Sequence, residues 1–136
     1  LAQELDVPVI VHEPEAHQDG LEIVKRFPKV KGVFHCYSGS AEMARQLVDL
    51  GWYIGFTGVL TFKNAKKLKE VVEYAPLDYL LLETDAPYLA PEPYRGKRNC
   101  SQYLTYVAKE IAEIKGVTYE EVVNITRANA KKLFGL

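Results

Sequence analysis

A short apolar run ending on a polar residue, followed by a stretch with helical periodicity, recurs four times along this chain. The runs are Val7-Pro8-Val9-Ile10-Val11-His12, Gly32-Val33-Phe34-His35-Cys36, Trp52-Tyr53-Ile54-Gly55-Phe56-Thr57 and Tyr79-Leu80-Leu81-Leu82-Glu83-Thr84-Asp85. Their polar ends, His12, His35, Thr57 and Asp85, are 23, 22 and 28 residues apart, and each interval has room for one strand, one helix and their turns. Strands that are apolar on both faces and joined by helical crossovers belong to a parallel sheet covered by helices. The pattern therefore predicts an α/β fold. Four such units amount to half of a (β/α)8 barrel, which typically needs ~250 residues. An open doubly wound sheet is the competing arrangement, because four units do not decide whether a sheet closes.

The stretches between the runs carry helix signals. Ser38 or Ser40 can cap a helix bearing Met43, Leu47 and Leu50. Ala65, Leu68, Val72 and Ala75 form the stripe of the next. Beyond a proline-rich loop from Pro87 to Pro93, Leu104, Val107, Ala108 and Ile111 predict a helix stopped at Gly116, and Thr118 with Glu121 opens a last one. Leu1 to Leu5 reads as the final turn of a helix.

With 48% apolar residues in 136, the chain can bury a core. Its 17 basic and 18 acidic residues leave no global attraction for nucleic acid, so any such contact needs a local patch. Cys36 and Cys100 match no disulfide-dense scaffold or zinc-ribbon spacing, which points to free thiols and a cytoplasmic setting. No apolar run reaches the ~18 residues of a membrane span.

His12, His35 and Asp85 are metal-competent side chains that end three of the four strands, on the rim where such folds place their sites. Each alone has an ordinary structural reading. Their coincidence favours a metal site. Strand alternation places Leu81, Glu83 and Asp85 on one face, so Glu83 suits a supporting role, accepting from a ligand histidine while Asp85 reaches the metal. The same rule sends Cys36 away from His35, towards the helices, as a core residue. His17 reads as a solvated residue near a helix start, and Gly55 and Gly58 as positions of close approach or of a bend. Arg95, Lys97 and Arg98 form the main local positive patch; with Lys63 beyond the third strand and a ring from Tyr88 or Tyr94, they point to phosphate contact.

Pro8 to His12, Gly32 to Ser40, Leu80 to Leu89, Arg95 to Asn99 and Asn129 to Phe134 together resemble the TatD deoxyribonuclease family, in order and over the whole length. The resemblance implies an amidohydrolase-type (β/α)8 barrel of which residues 1–136 form a single partial domain, the C-terminal half with the fifth to eighth strands. It also implies two divalent ions per complete site (Mg, Mn or Zn), with His12 and His35 similar to the ligands of one and Asp85 to the aspartate that binds the other and helps activate water. DNA is then the implied substrate, cleaved at phosphodiester bonds, with 3′-to-5′ exonuclease action as one form of that activity. The His-x-His and the glutamate that the family carries on earlier strands are expected upstream of Leu1. On that expectation this chain holds half a metal centre, is inactive alone, and needs the N-terminal half of the same protein or a second copy of itself. Two departures accompany the resemblance: Glu13-Pro14-Glu15 stands where an arginine is usual, and Cys100-Ser101 where Glu-Pro is common. Another hydrolase on the same platform, acting on aminoacyl-tRNA or a small ester or amide, and a non-catalytic half-barrel are the alternatives.

Overall fold

The computed structural model describes residues 1–12 and 17–136, the side chain of His17 excepted. The order of elements is α1 (Ala2–Leu5), β1 (Val9–Val11), α2 (His17–Arg26), β2 (Gly32–Phe34), α3 (Ala41–Asp49), β3 (Tyr53–Phe56), α4 (Lys66–Tyr74), β4 (Leu80–Leu82), α5 (Leu104–Lys115) and α6 (Tyr119–Phe134). Among the described residues the strands of the sheet pair in parallel in the order β1-β2-β3-β4, so consecutive strands are neighbours throughout. That order is the one a rolling sequence of strand–helix units produces, with no reversal of direction across the sheet.

The strands are shorter than the apolar runs. Each is two to four residues shorter than its run, and at the C-terminal end the chain leaves the strand as it reaches the polar rim. The ladder nevertheless continues one step further: His35 N–H donates to the Val11 carbonyl at 2.8 Å and Glu83 N–H to the Phe56 carbonyl at 2.9 Å. Both side chains therefore stand on backbone that is hydrogen-bonded to the neighbouring strand.

Alternation along the strands sorts the two faces. Phe34, Ile54, Phe56 and Leu80 are buried on the helix side against Leu21, Leu47, Val71, Val72, Val107 and Ile111. The Phe34 ring meets Trp52 edge-on at 5.4 Å. Burying such side chains stabilises the domain by about 1.5–3 kcal/mol apiece before chain entropy is subtracted. Val33, Tyr53 and Leu81 face the other way and form a second cluster with Tyr79, Ala130 and Leu133. The face turned away from these helices is therefore partly covered within the chain itself. α6 packs on β4, Leu133 shares a wall with Pro8 and Lys31, and Ala130 and Leu133 lie against the second cluster. Ile10, on edge strand β1, is not covered in this way, and its side chain is 60% exposed.

The caps follow the sequence. Ser40 accepts from Met43 N–H at the start of α3, Thr118 accepts from Glu121 N–H at the start of α6, and Gly116 ends α5 in the left-handed region at φ 67°. Asn129 on α6 is buried, and its amide donates to the carbonyls of Leu77 and Leu80, both at 2.9 Å. That pair of bonds fixes α6 to the start of β4. No helix among the described residues is long and apolar enough to cross a membrane.

Candidate metal centre and cationic groove

Three ligand atoms, one each from His12, His35 and Asp85, lie within 4.8 Å of one another at the C-terminal rim of the sheet. His35 and Asp85 are half-buried and His12 is exposed. The two imidazole rings sit 5.6 Å apart, tilted by 49°. His35 Nε2 is 3.0 Å from Asp85 Oδ1. Ligands of one ion held at ~2.1 Å have donor atoms ~3.0–3.4 Å apart, so these two already stand at a sharing distance. Two imidazoles are borderline donors and a carboxylate a hard one, a set that would suit zinc or manganese, and the exposure of His12 would leave a bound ion open to solvent on one side. The residues fit a divalent cation.

Glu83 sets the histidine. Its Oε2 accepts from His35 Nδ1 at 2.6 Å and from the Cys36 backbone N–H at 2.9 Å. With Nδ1–H committed to a carboxylate, Nε2 is the nitrogen turned to the site, which is the usual way a ligand histidine is oriented. Burial pushes the Glu83 carboxyl above its ordinary value, against the opposing pull of the Cys36 N–H and the His35 ring. For His35 burial acts downwards, but the bond its ring donates to Asp85 when protonated and the charges of Glu83 and Asp85 outweigh it and raise its pKa above 6.5. The group is an anionic pocket closed around one ring.

Gly55 makes that arrangement possible. A Cβ at this position would lie 2.2 Å from the Glu83 carboxyl carbon and from Oε1. The Gly55 backbone cannot step aside, because it pairs with Leu81 and its carbonyl accepts from Tyr37 N–H at 2.9 Å. Close approach was legible at Gly55; that the approaching group is a carboxylate from the next strand was not. Gly58 likewise admits the loop, with a Cβ there falling 2.2 Å from the Leu89 carbonyl oxygen.

Cys36 departs from the alternation argument. β2 ends at Phe34, and Cys36 adopts φ 49°, so it is no longer on a pleated strand. Its thiol is half-buried, 3.5 Å from the Thr57 hydroxyl rather than in the helix-side core, and burial raises its pKa. The turn at Cys36 is what directs its N–H at Glu83.

A tight turn separates Asp85 from the basic loop: Tyr88 N–H donates to the Asp85 carbonyl at 2.7 Å. Asn99, buried, holds the far end of that loop by donating from its amide to the Tyr88 carbonyl and from its backbone to the Pro87 carbonyl, both at 2.9 Å. Tyr88, Arg95, Lys97 and Arg98 line one groove of about 800 Å³ together with Phe62, Pro87, Leu89, Ala90 and Gly96. No acidic residue belongs to this lining. Lys63 is exposed next to Phe62 but outside the groove wall. Sequence reasoning assigned no role to Phe62 or Asn99; for Phe62 only its place between a candidate site glycine and Lys63 could have drawn notice. The Glu13-to-Glu15 departure and the His17 side chain lie outside the described residues.

Residues 1–135 match the family model described as TatD related DNase. The chain is 50% identical to an uncharacterized metal-dependent hydrolase, YabD, of Bacillus subtilis (strain 168), covering 98% of this chain and 53% of that protein. It is 45% identical to an uncharacterized metal-dependent hydrolase, YcfH, of Escherichia coli (strain K12), covering 98% and 51%. Among solved structures, YJJV, a TatD homolog from Escherichia coli K12, superposes with a TM-score of 0.90 at 32% identity over 99% of this chain and 52% of that one. The chain thus spans about half the length of the curated relatives it matches.

Proposed function

The chain belongs to the TatD-related DNase family, and from that premise we propose that it is the part of a divalent-metal hydrolase that carries His12, His35 and Asp85, acting on phosphodiester bonds of DNA. The observation that carries the reading is the meeting of these three side chains on one rim, a single turn away from a groove lined by three cations and no acid. Metal-dependent hydrolases among the relatives support the metal; the groove supports a phosphate-bearing substrate.

In the proposed whole protein these four strands are the fifth to eighth of a (β/α)8 barrel. The remaining strands and ligands come from the other half of the same protein, or a second copy of this chain covers the open edges of β1 and β4. Two metal ions per complete site fit that division, with His12, His35 and Asp85 contributing from this side.

Asp85 is the proposed catalytic residue. Its Oδ1 faces His35, which leaves Oδ2 to orient a water and take its proton. Glu83 keeps the His35 ring from turning. Arg95, Lys97 and Arg98 hold backbone phosphates in the groove, Arg by paired bonds and Lys as a point charge, while Tyr88, 72% exposed, offers a face to a base. A bound divalent ion supplies Lewis-acid polarisation of the phosphoryl group and lowers the pKa of water at the site.

The test is an assay of the intact protein on single-stranded DNA, aminoacyl-tRNA and simple esters, with Mg, Mn or Zn added and with metal chelated. Metal-dependent cleavage of DNA, lost in Asp85→Asn, is the expected result. Turnover of an ester or aminoacyl bond with DNA untouched would overturn the substrate, and turnover unaffected by chelation would overturn the metal.

A further inference from the structure

Arg95 is an unusual cation for a surface loop, because its guanidinium carbon lies 3.8 Å above the centroid of the Phe62 ring. Phe62 is 7% exposed and anchored by a bond from its own N–H to the Val59 carbonyl at 3.1 Å, so the ring is a fixed floor. A guanidinium at that distance from a ring centroid lies against its face, held by cation–π attraction and planar contact. Arg95, Lys97 and Arg98 make no ion pair among the described residues, although acidic residues slightly outnumber basic ones in the chain. They converge instead on one groove.

The loop that carries them is braced on several sides. Tyr94 stacks on Tyr103 with centroids 4.4 Å apart and planes within 2°, and Tyr106 meets both edge-on. Glu92 N–H donates to the Thr61 hydroxyl at 2.8 Å, and Asn99 closes the loop's end. Gly96, at φ 85°, turns the chain between Arg95 and Lys97 in a conformation that side chains disfavour. A cation on so restrained a loop, laid on an aromatic floor, has surrendered much of its rotamer freedom before any ligand arrives.

We infer that Arg95 is a base-stacking residue and Phe62 its positioning residue: the guanidinium, with one face covered by Phe62, presents its other face to a nucleobase while its edge stays free to hold a phosphate, as Lys97 and Arg98 do. The stacked pair serves where a lysine could not, since an ammonium has no plane to offer. A groove of about 800 Å³ with three cations and no acid suits an anionic ligand that also carries a ring. This rests on the nuclease reading of the same region, and it adds that the groove reads the base plane as well as the phosphate charge.

The experiment is fluorescence anisotropy of the intact protein in EDTA, so that binding is measured apart from hydrolysis. The probes are a labelled thymidine tetranucleotide and a labelled chain of the same length whose sugars are abasic. The wild type is expected to bind the base-bearing probe about tenfold more tightly, within the range that base stacking on a side chain provides. Arg95→Lys keeps the charge and, compared in a Tyr88→Ala background that removes the other base-facing ring, should bring the two probes to within about twofold of each other. Phe62→Leu should do the same by releasing Arg95, with circular dichroism confirming the fold; if Phe62→Leu does not fold, Arg95→Lys decides alone. Lys97→Ala should weaken both probes equally and keep their ratio. Equal wild-type affinity for the two probes, or a preference that survives Arg95→Lys in that background, overturns the inference. Neither result touches the nuclease reading, which fails only if metal-dependent DNA cleavage is absent.

Discussion

Replacing Gly55 by alanine adds one methyl group opposite the Glu83 carboxylate, at a built distance of 2.2 Å where ordinary contact begins near 3.4 Å. The strand cannot yield, since Gly55 is paired to Leu81 and bonded to Tyr37, so the flexible carboxylate must withdraw by more than an ångström. It then loses its bonds to His35 Nδ1 at 2.6 Å and to Cys36 N–H at 2.9 Å. Each bond to a charged group contributes about 1.5–3 kcal/mol. Hydration of the displaced carboxylate and the reduced freedom of the unfolded chain offset part of that, the latter by about 0.4–1 kcal/mol. A net loss of about 2 kcal/mol should lower Tm by roughly 7 °C for a chain of this size. Because His35 loses the partner that orients it, metal affinity should fall by about 10–100-fold. Thermal unfolding and calorimetric metal titration of Gly55→Ala, Glu83→Ala and the double variant measure both effects. In a Glu83→Ala background the added methyl has no carboxylate to displace, so the double variant should match Glu83→Ala alone. Additive losses, or wild-type metal affinity in Gly55→Ala, would refute the reasoning.

Asp85→Asn in the intact protein should reduce DNA turnover by at least ~10²-fold while moving stability by less than about 1 kcal/mol, because it removes a ligand charge and a proton acceptor from a half-exposed position; parallel kinetics and melting curves check both. Asn129→Ala removes the side-chain donor from the carbonyls of Leu77 and Leu80, of which Leu77 keeps the Leu80 N–H, and should cost about 1–2 kcal/mol in chemical denaturation without altering metal affinity. Burial holds the Tyr37 phenol well above its ordinary value of 10.0. Its neutral form is therefore favoured by folding: the contribution is complete below pH ~10 and falls as pH rises further, where the unfolded chain ionises first. Tyr37→Phe should flatten that alkaline loss in a series of unfolding curves taken at increasing pH.

The fold was legible because it is written in long, redundant signals. Four apolar runs at near-constant spacing gave the parallel sheet, and Ser40, Thr118 and Gly116 marked helix ends where the structure has them. The meeting of His12, His35 and Asp85 was legible for the same reason, as strand ends in a parallel sheet share one rim. Placing Glu83 beside His35 followed from alternation, which holds while the ladder lasts. Alternation failed at Cys36, one residue beyond the ladder, where a positive φ replaces the pleat. What α6 covers was hidden because helix periodicity shows which residues want burial but not against which surface; Ala130 and Leu133 could have met any apolar face. Phe62 under Arg95 joins residues 33 positions apart with no periodic relation, and a contact of that kind leaves no local trace.

Anomalous diffraction from crystals of the intact protein grown with manganese or zinc tests the account's central claim most directly. The account predicts an anomalous peak within about 2.3 Å of His35 Nε2, an Asp85 carboxylate oxygen and a His12 ring nitrogen, and its disappearance in crystals of the His12→Ala, His35→Ala double variant. A peak bound elsewhere at saturating metal, with these three side chains left uncoordinated, would contradict it.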